Sequence, residues 1–257
     1  MGMLSPIIPP VNIVIAGASQ GLGHALSIRL NAARHGHWTL PLSRSGSGND
    51  LSSLNQTMSA AARSHLTHVD ALIVTAGTQP ILGRVLDSDP TAWVESVSRN
   101  LSIVVNCLHA FRPLLASPKV KGRPKVILLS GGGATEGRPY FSAYACAKTA
   151  IVRLVETLAM EEPGWDVNAV APGAMGGEML DAVVEAGPMR VGQAEYAKAQ
   201  TLRGTPDKAV DLIEWLISPE ANKVTGKLIS AIWDQWGKNH LATLQDASTY
   251  KLRRTLP

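Results

Sequence analysis

Short apolar runs alternate with helix-like segments along almost the whole chain, and this alternation constrains the fold more than any other feature. Four of the runs read as buried strands that close on glycine: VNIVIAGAS (11–19), DALIVTAG (70–77), PKVILLSGGG (124–133) and WDVNAVAPGAM (165–175). A near-continuous apolar strand is typical of a parallel sheet, because helices cover both of its faces. The pattern predicts an α/β fold with a doubly wound parallel sheet in three αβα layers.

Composition limits the classes of function. A chain of 257 residues with 45% hydrophobic and 17% charged residues suits a single domain, which we expect to span 1–257. The net charge of +4 comes without a basic stripe and interleaved aromatics, so no nucleic-acid partner is expected. No apolar run reaches about 18 residues, so no membrane span is expected. The seven His and two Cys lack metal-ligand spacing, which predicts no metal site and a cytoplasmic protein with reduced thiols.

The middle of the chain is short for this kind of sheet. HWTLPLSRS (37–45) reads as a second strand, although Pro41 cannot donate to a ladder. From Arg44 to Asp70 there is room for one helix and little more. A crossover between parallel strands needs a dozen or more residues, so we expect the region around a third strand to be shortened.

A glycine-rich loop follows the first strand and opens the first helix. Gly17, Gly21 and Gly23 in AGASQGLG would allow a tight turn, a close approach of the backbone to a pyrophosphate, and packing of helix on strand. The helix N-terminus would offer donors to the phosphates. Ser19, Gln20 and Leu22 complete this predicted cofactor-binding loop.

Tyr144 and Lys148 form Tyr-x-x-x-Lys on a predicted helix. Together with the glycine-rich loop, TAG (75–77), Asn100 and VNAVAPG (167–173), this motif resembles the short-chain dehydrogenase/reductase family, from about residue 11 to 236. The resemblance implies a Rossmann-type fold, an NAD(P) cofactor and a carbonyl or alcohol substrate. It implies a homodimer or homotetramer that pairs the helices near 90–116 and 142–160.

The same resemblance implies roles for individual residues. Tyr144 would be the general acid/base, and Lys148 would lower its pKa and hold the nicotinamide ribose. Asn100 would hold a water in the proton relay, with Asn106 as a weaker rival. Ala76, Gly77, Pro172 and Gly173 would line the cofactor site.

Several positions depart from the family pattern. The substrate-polarising Ser of the family lies thirteen residues before the Tyr, which here is Gly131. Ser130, one residue earlier, is the candidate replacement if a local bulge turns it inward; backbone N–H groups of the glycine run are the alternative. The family's Asn-Asn-Ala-Gly becomes VTAG (74–77), which leaves a hydrogen bond between central strands in doubt.

Two further segments bear on ligands. Ser43 and Arg44 at the end of the second strand suit a 2′-phosphate, which favours NADP over NAD, and Asp50 aligns with the family's adenine-binding Asp. Residues 174–205 resemble the family's lid over the substrate, with Met175, Met179, Leu180 and Met189 as an apolar wall.

The sequence therefore predicts an NADP-dependent ketone reductase or secondary alcohol dehydrogenase that uses Tyr144 for the proton. The alternative is an NAD(P)-binding scaffold or regulatory protein with little or no turnover, which Gly131, Val74 and the short middle of the chain favour.

Overall fold

The computed structural model describes residues 11–32, 38–43, 50–78, 81–202 and 204–253. Its strands are β1 (Asn12–Ala16), β2 (Trp38–Leu42), β3 (Ala71–Val74), β4 (Lys125–Leu129), β5 (Asp166–Ala171) and β6 (Lys227–Ser230). Its α-helices are α1 (Gly21–Asn31), α2 (Leu54–Arg63), α3 (Pro90–Leu115), α4 (Ser142–Glu161), α5 (Glu178–Val191), α6 (Gln193–Thr201), α7 (Asp207–Ile217) and α8 (Leu241–Gln245). Short 3₁₀ turns cover Val85–Asp87, Pro219–Ala221 and Lys238–His240.

The strands form one six-stranded parallel sheet in the order β2-β1-β3-β4-β5-β6. Alternate residues of β1 face opposite layers, since Ile13 and Ile15 pack with α1 and α7 while Val14 and Ala16 pack with α2, α3 and α4. The predicted three-layer αβα fold of Rossmann type is confirmed.

Local signals set the start of the long helix α3. Asp89 caps it, because its carboxylate accepts a hydrogen bond of 2.7 Å from the Ala92 N–H. Pro90 follows at the first helical position, where a missing N–H costs nothing.

The shortened middle is also confirmed. Within the described residues no strand lies outside β2, and α2 alone connects β2 to β3. β2 is therefore an edge strand, which explains how it tolerates Pro41, the partner of Ile15 in the register with β1.

Candidate active site

The sheet reverses its direction of growth between β1 and β3. The chain leaves β1 for β2 on one side and returns to β3 on the other. In open parallel sheets such a switch point opens a crevice beyond the carboxyl ends of the strands. Here the glycine-rich loop after β1 and residues 75–78 after β3 border that crevice.

Close packing fixes the glycine-rich loop on β3. A Cβ on Gly17 would lie 2.4 Å from the Ala76 nitrogen, and one on Gly23 would lie 2.2 Å from the Gly17 carbonyl oxygen. The Thr75 hydroxyl lies 3.0 Å from the Ala16 carbonyl oxygen and 3.1 Å from that of Gly17. The brace that the sequence left in doubt is thus supplied by Thr75.

The start of α1 is open to a ligand. Gly21 has a φ of +55° and nothing within 4 Å of the place where a Cβ would lie. No acidic residue stands in the first turn of α1. A helix N-terminus with bare backbone and no competing carboxylate in its first turn fits the phosphates of a dinucleotide.

A large cleft of about 1940 Å³ runs from this loop along the strand ends. It contains every described residue that the sequence predicts for catalysis or for cofactor binding: Gly17, Ser19, Gln20, Gly21, Leu22, Gly23, Ser43, Asp50, Ala76, Gly77, Asn100, Ser130, Tyr144, Lys148, Pro172 and Gly173. Arg44 lies outside the described residues. The structure thus brings the predicted set together, while the role of each residue remains a prediction.

Tyr144 and Lys148 are buried on the inner face of α4. The Lys148 Nζ donates a 2.9 Å hydrogen bond to the Leu129 carbonyl and lies 5.6 Å from the centroid of the Tyr144 ring. A Cβ on Gly77 would lie 4.0 Å from the same Nζ. The ammonium group therefore lies between the ends of β3 and β4.

Burial controls the ionisation of both groups. It raises the pKa of Tyr144, and the positive charge of Arg138 acts in the opposite direction. It lowers the pKa of Lys148 to about 8. The sequence-based expectation that Lys148 lowers the pKa of Tyr144 is not what this structure shows, because desolvation dominates and the opposing charge belongs to Arg138. A phenol whose pKa is raised keeps its proton at neutral pH, which suits a general acid.

Position 131, and not 130, faces the tyrosine. A Cβ on Gly131 would lie only 2.4 Å from the Tyr144 hydroxyl oxygen. The Ser130 N–H stays in the sheet through a 2.9 Å bond to Val170, and the Ser130 hydroxyl donates to the Lys148 carbonyl at 3.3 Å. No bulge turns Ser130 inward, so this arrangement does not favour its predicted role as the substrate-polarising hydroxyl.

Asn100 is buried and holds the loop after β3. Its Nδ2 donates to the Thr78 hydroxyl oxygen at 2.7 Å and to the Ser96 carbonyl at 2.9 Å, and its Oδ1 accepts from the Thr78 N–H at 3.1 Å. Both amide hydrogens already make hydrogen bonds, so a relay water could donate only to the remaining lone pair of Oδ1. The rival Asn106 donates to the Leu51 carbonyl at 3.2 Å instead.

Ser43 and Asp50, which the sequence predicts to bind the adenosine end of the cofactor, also line the cleft. Asp50 accepts hydrogen bonds from the Ser52 N–H at 3.0 Å and the Ser52 hydroxyl at 2.7 Å. It also lies 3.9 Å from the Arg99 guanidinium. This carboxylate is therefore partly engaged by its own turn and by α3.

Helices α5 and α6 lie within the segment 174–205 for which the sequence predicts a lid, and side-chain bonds tie them to both sides of the cleft. The Gln20 amide donates to the Glu178 carboxylate at 2.9 Å, and Arg138 pairs with Glu195 at 2.5 Å. Met175, Met179 and Leu180 line the cleft as predicted. Met189 does not, since it is 95% exposed and borders a separate shallow groove.

Comparison with known proteins identifies the family of this chain. Residues 49–231 match the protein-family model described as enoyl-(acyl carrier protein) reductase. A curated relative, dehydrogenase/reductase SDR family member 2 of Homo sapiens, is 25% identical over 240 residues, covering 84% of this chain and 83% of the relative. The chain belongs to the short-chain dehydrogenase/reductase family. Another relative, the acetoacetyl-CoA reductase of Rhizobium meliloti, is 27% identical over 248 residues, covering 87% of this chain and 97% of that protein.

Solved structures of short-chain dehydrogenases show the same fold. The aldohexose dehydrogenase of Thermoplasma acidophilum aligns with a TM-score of 0.72 at 20% identity, over 86% of this chain and 92% of that one. A short chain dehydrogenase from Shigella flexneri, complexed with NADP, aligns with a TM-score of 0.70 at 19% identity, over 89% of this chain and 99% of that one.

The structure adds residues that the sequence did not single out as parts of this short-chain dehydrogenase site. Thr75, Thr78, Arg138, Glu178 and Glu195 line the cleft and hold its loops and lid. Only Thr75 carried a local signal, because it stands where the family places an Asn; the others depend on contacts between distant segments. Among the described residues, no helix is long and apolar enough to cross a membrane, and no group of three acidic, His or Cys side chains could hold a metal.

Proposed function

We propose that this short-chain dehydrogenase/reductase is an NAD(P)-dependent oxidoreductase that reduces a ketone, or in reverse oxidises a secondary alcohol. The observation that carries the proposal is that Tyr144 and Lys148 are buried together in the cleft that also contains the glycine-rich loop. The cofactor, when bound, supplies or accepts the hydride at the substrate carbon.

The residues of the chain then handle the proton. Tyr144 is held protonated by burial and gives its proton to the carbonyl oxygen as that oxygen gains negative charge. Lys148 keeps one N–H on the Leu129 carbonyl and has two further donors for the ribose of the cofactor. Helices α5 and α6 pack Val183, Val191 and Ala199 around Phe141 and Tyr144, which shields the reacting oxygen from water.

NADP is the proposed cofactor, with NAD as the alternative. Gly17, Gly21 and Gly23 provide the cradle, and a neutral Ser43 borders the adenosine end. NAD is kept as the alternative because the carboxylate of Asp50 lies at the same end of the cleft. Titration calorimetry with NADPH and NADH decides between the two cofactors. A dissociation constant for NADPH that is about tenfold lower than that for NADH, or about 1.4 kcal/mol, supports the proposal.

The test of activity is a panel of ketones with the preferred reduced cofactor, followed by the loss of nicotinamide absorbance. Tyr144→Phe is expected to lower kcat by about 10²–10⁴-fold. Tyr196→Phe on α6 is the matched control, since its hydroxyl only accepts a 3.1 Å bond from Gln200 at the surface. Binding of the cofactor without reduction of any ketone would instead support the scaffold alternative, which the absence of a side-chain hydroxyl at Gly131 favours.

A homo-oligomer is part of the proposal. Val94 and Val105 on α3 and Met160 on α4 are apolar side chains exposed on the two helices that the family resemblance implicates in pairing. Light scattering after size exclusion would give a mass of two or four chains, and a monomer would contradict the assignment.

A further inference from the structure

The glycine run after β4 borders two polar groups that line the cleft. A Cβ on Gly131 would meet the Tyr144 hydroxyl, and a Cβ on Gly132 would lie 3.8 Å from Nη1 of Arg138. Arg138 and Tyr144 thus lie against consecutive residues of one loop, and both line the cleft. The charge of Arg138 also acts on Tyr144, where it opposes the effect of burial on the phenol pKa.

Two contacts hold the Arg138 guanidinium in place. Its Nη2 bonds to Glu195 Oε2 of α6 at 2.5 Å, and its Cζ lies 3.9 Å above the centroid of the Phe141 ring. Phe141 is 1% exposed, so the surface under the guanidinium is fixed. A planar cation held on one edge and one face has lost most of its rotamer freedom before any ligand arrives.

The other edge of the same guanidinium is uncommitted. Within the described residues Nη1 makes no hydrogen bond, while Nη2 carries the ion pair. Two N–H groups with a positive charge therefore remain for a ligand on the side of the glycine run. No hydroxyl of the glycine run faces this edge of the guanidinium, because Gly131 has no side chain and the Ser130 hydroxyl donates to the Lys148 carbonyl.

We propose that Arg138 is a further catalytic residue, whose Nη1 donates a hydrogen bond to the substrate oxygen that Tyr144 protonates. This inference rests on the proposed carbonyl reduction and assigns the group that polarises the carbonyl. Arg138 only donates a hydrogen bond; the proton comes from Tyr144 and the hydride from the reduced nicotinamide. A fixed donor aimed at developing negative charge contributes about 10²–10³ in rate.

The test is kinetic, with the ketone and cofactor that the wild-type chain uses. Arg138→Met is expected to lower kcat by about 10²-fold while the dissociation constant of the cofactor stays within about twofold. Arg138→Lys is expected to recover part of the loss, because it keeps the charge. Arg84→Met is the control, since Arg84 is 73% exposed and outside the cleft, with only a 3.9 Å pair to Asp87.

Two readouts separate catalysis from a structural lock on the lid. Removing the Arg138 charge should raise the pH at which the ionisation of Tyr144 limits kcat, because that charge opposes the effect of burial. The other charged groups lining this part of the cleft, Glu136, Lys148, Glu195 and Lys198, are the same in this variant. The second readout is the dissociation constant of the cofactor, which a pure lock on the lid would raise together with the loss of kcat and which loss of the donor alone should leave within about twofold.

Failure has two distinguishable forms. If the wild-type chain reduces ketones and Arg138→Met matches Arg84→Met, the role of Arg138 is refuted and the proposed function stands. If the wild-type chain binds the cofactor and reduces no carbonyl, the proposed function fails and the role of Arg138 fails with it. Should Arg138→Met not fold by circular dichroism, Arg138→Gln replaces it in the same comparison.

Discussion

Gly131→Ser is the substitution for which the family pattern and the geometry give opposite expectations. By the pattern, a serine thirteen residues before the tyrosine restores a missing substrate-binding hydroxyl and raises activity. By the geometry, the new Cβ would lie 2.4 Å from the Tyr144 hydroxyl oxygen and 3.3 Å from its Cζ. Ordinary van der Waals contact begins near 3.4 Å, so the tyrosine would have to move by about 1 Å.

The surroundings of Tyr144 do not let it move freely. Its ring is buried in a cluster with Phe141, Val183 and Ala199. Overpacking of such a site costs about 1–3 kcal/mol. A displacement of about 1 Å at a catalytic group costs about 10²-fold in rate. We therefore expect Gly131→Ser to lower kcat by about two orders of magnitude and to destabilise the fold slightly.

The assay compares kcat for ketone reduction and the thermal midpoint across three variants. Gly131→Ala carries the same Cβ without a hydroxyl and should lose as much activity as Gly131→Ser. Gly137→Ser is the matched control, because Gly137 is exposed, outside the cleft and has nothing within 4 Å of its Cβ position. A higher kcat in Gly131→Ser together with a wild-type kcat in Gly131→Ala would refute the reasoning. The Tyr144 hydroxyl would then not occupy the Cβ position of residue 131 during turnover.

Three further predictions concern stability and the cofactor loop. Burial lowers the folded-state pKa of Lys148 from 10.5 to about 8, so the unfolded chain binds one more proton in this window and stability rises with pH across it. Urea titrations of the cofactor-free protein at both ends of this pH window should show that the free energy of unfolding rises less in Lys148→Met than in the wild-type chain, by up to about 3 kcal/mol. An equal rise in the two proteins would contradict the burial argument. Asp166→Asn should cost about 3–5 kcal/mol in the same assay, because Arg123 and Lys125, each 2.7 Å from the Asp166 carboxylate, lose the negative charge that pairs with them. The exposed control Asp87→Asn should cost less than about 1 kcal/mol, and equal losses would show that burial of the pair is not decisive. Thr75→Val should weaken cofactor binding in calorimetry and cost about 1 kcal/mol of stability, whereas Thr75→Ser keeps the hydroxyl and should keep both.

The fold was largely predictable because its signals are local. Apolar runs, the Asp89 cap and Pro90 fix elements within a few residues of themselves. The shortened connection between β2 and β3 followed from counting, since the segment between Arg44 and Asp70 is too short for a strand with two crossover helices. Parallel strands then leave the motif residues at one edge of the sheet, which is why the predicted set meets in one cleft.

The finer geometry of the site could not be predicted, because it depends on contacts between distant segments. Arg138 and Glu195 are 57 residues apart, and Gln20 and Glu178 are 158 apart. Spacing on a helix placed Lys148 near Tyr144 but could not say that the ammonium turns to the Leu129 carbonyl. The direction of Met189 likewise depends on the kink at Gly187, whose φ of +72° interrupts α5 just before it.

The glycine run itself bears on whether the site works. Gly131 leaves the space that the Tyr144 hydroxyl occupies, and Gly133 has a φ of +94° that favours glycine. Gly132 alone is free of both constraints, since its Cβ would meet Arg138 at an ordinary distance. The observed positions of Tyr144 and of the loop therefore require glycine at two of these three positions. The glycine run is explained by the packing of Tyr144 and the loop, without any loss of function. A scaffold that only bound the cofactor would have no need to seat a buried phenol against Gly131 with an arginine beside it, and this is why the geometry favours the enzyme.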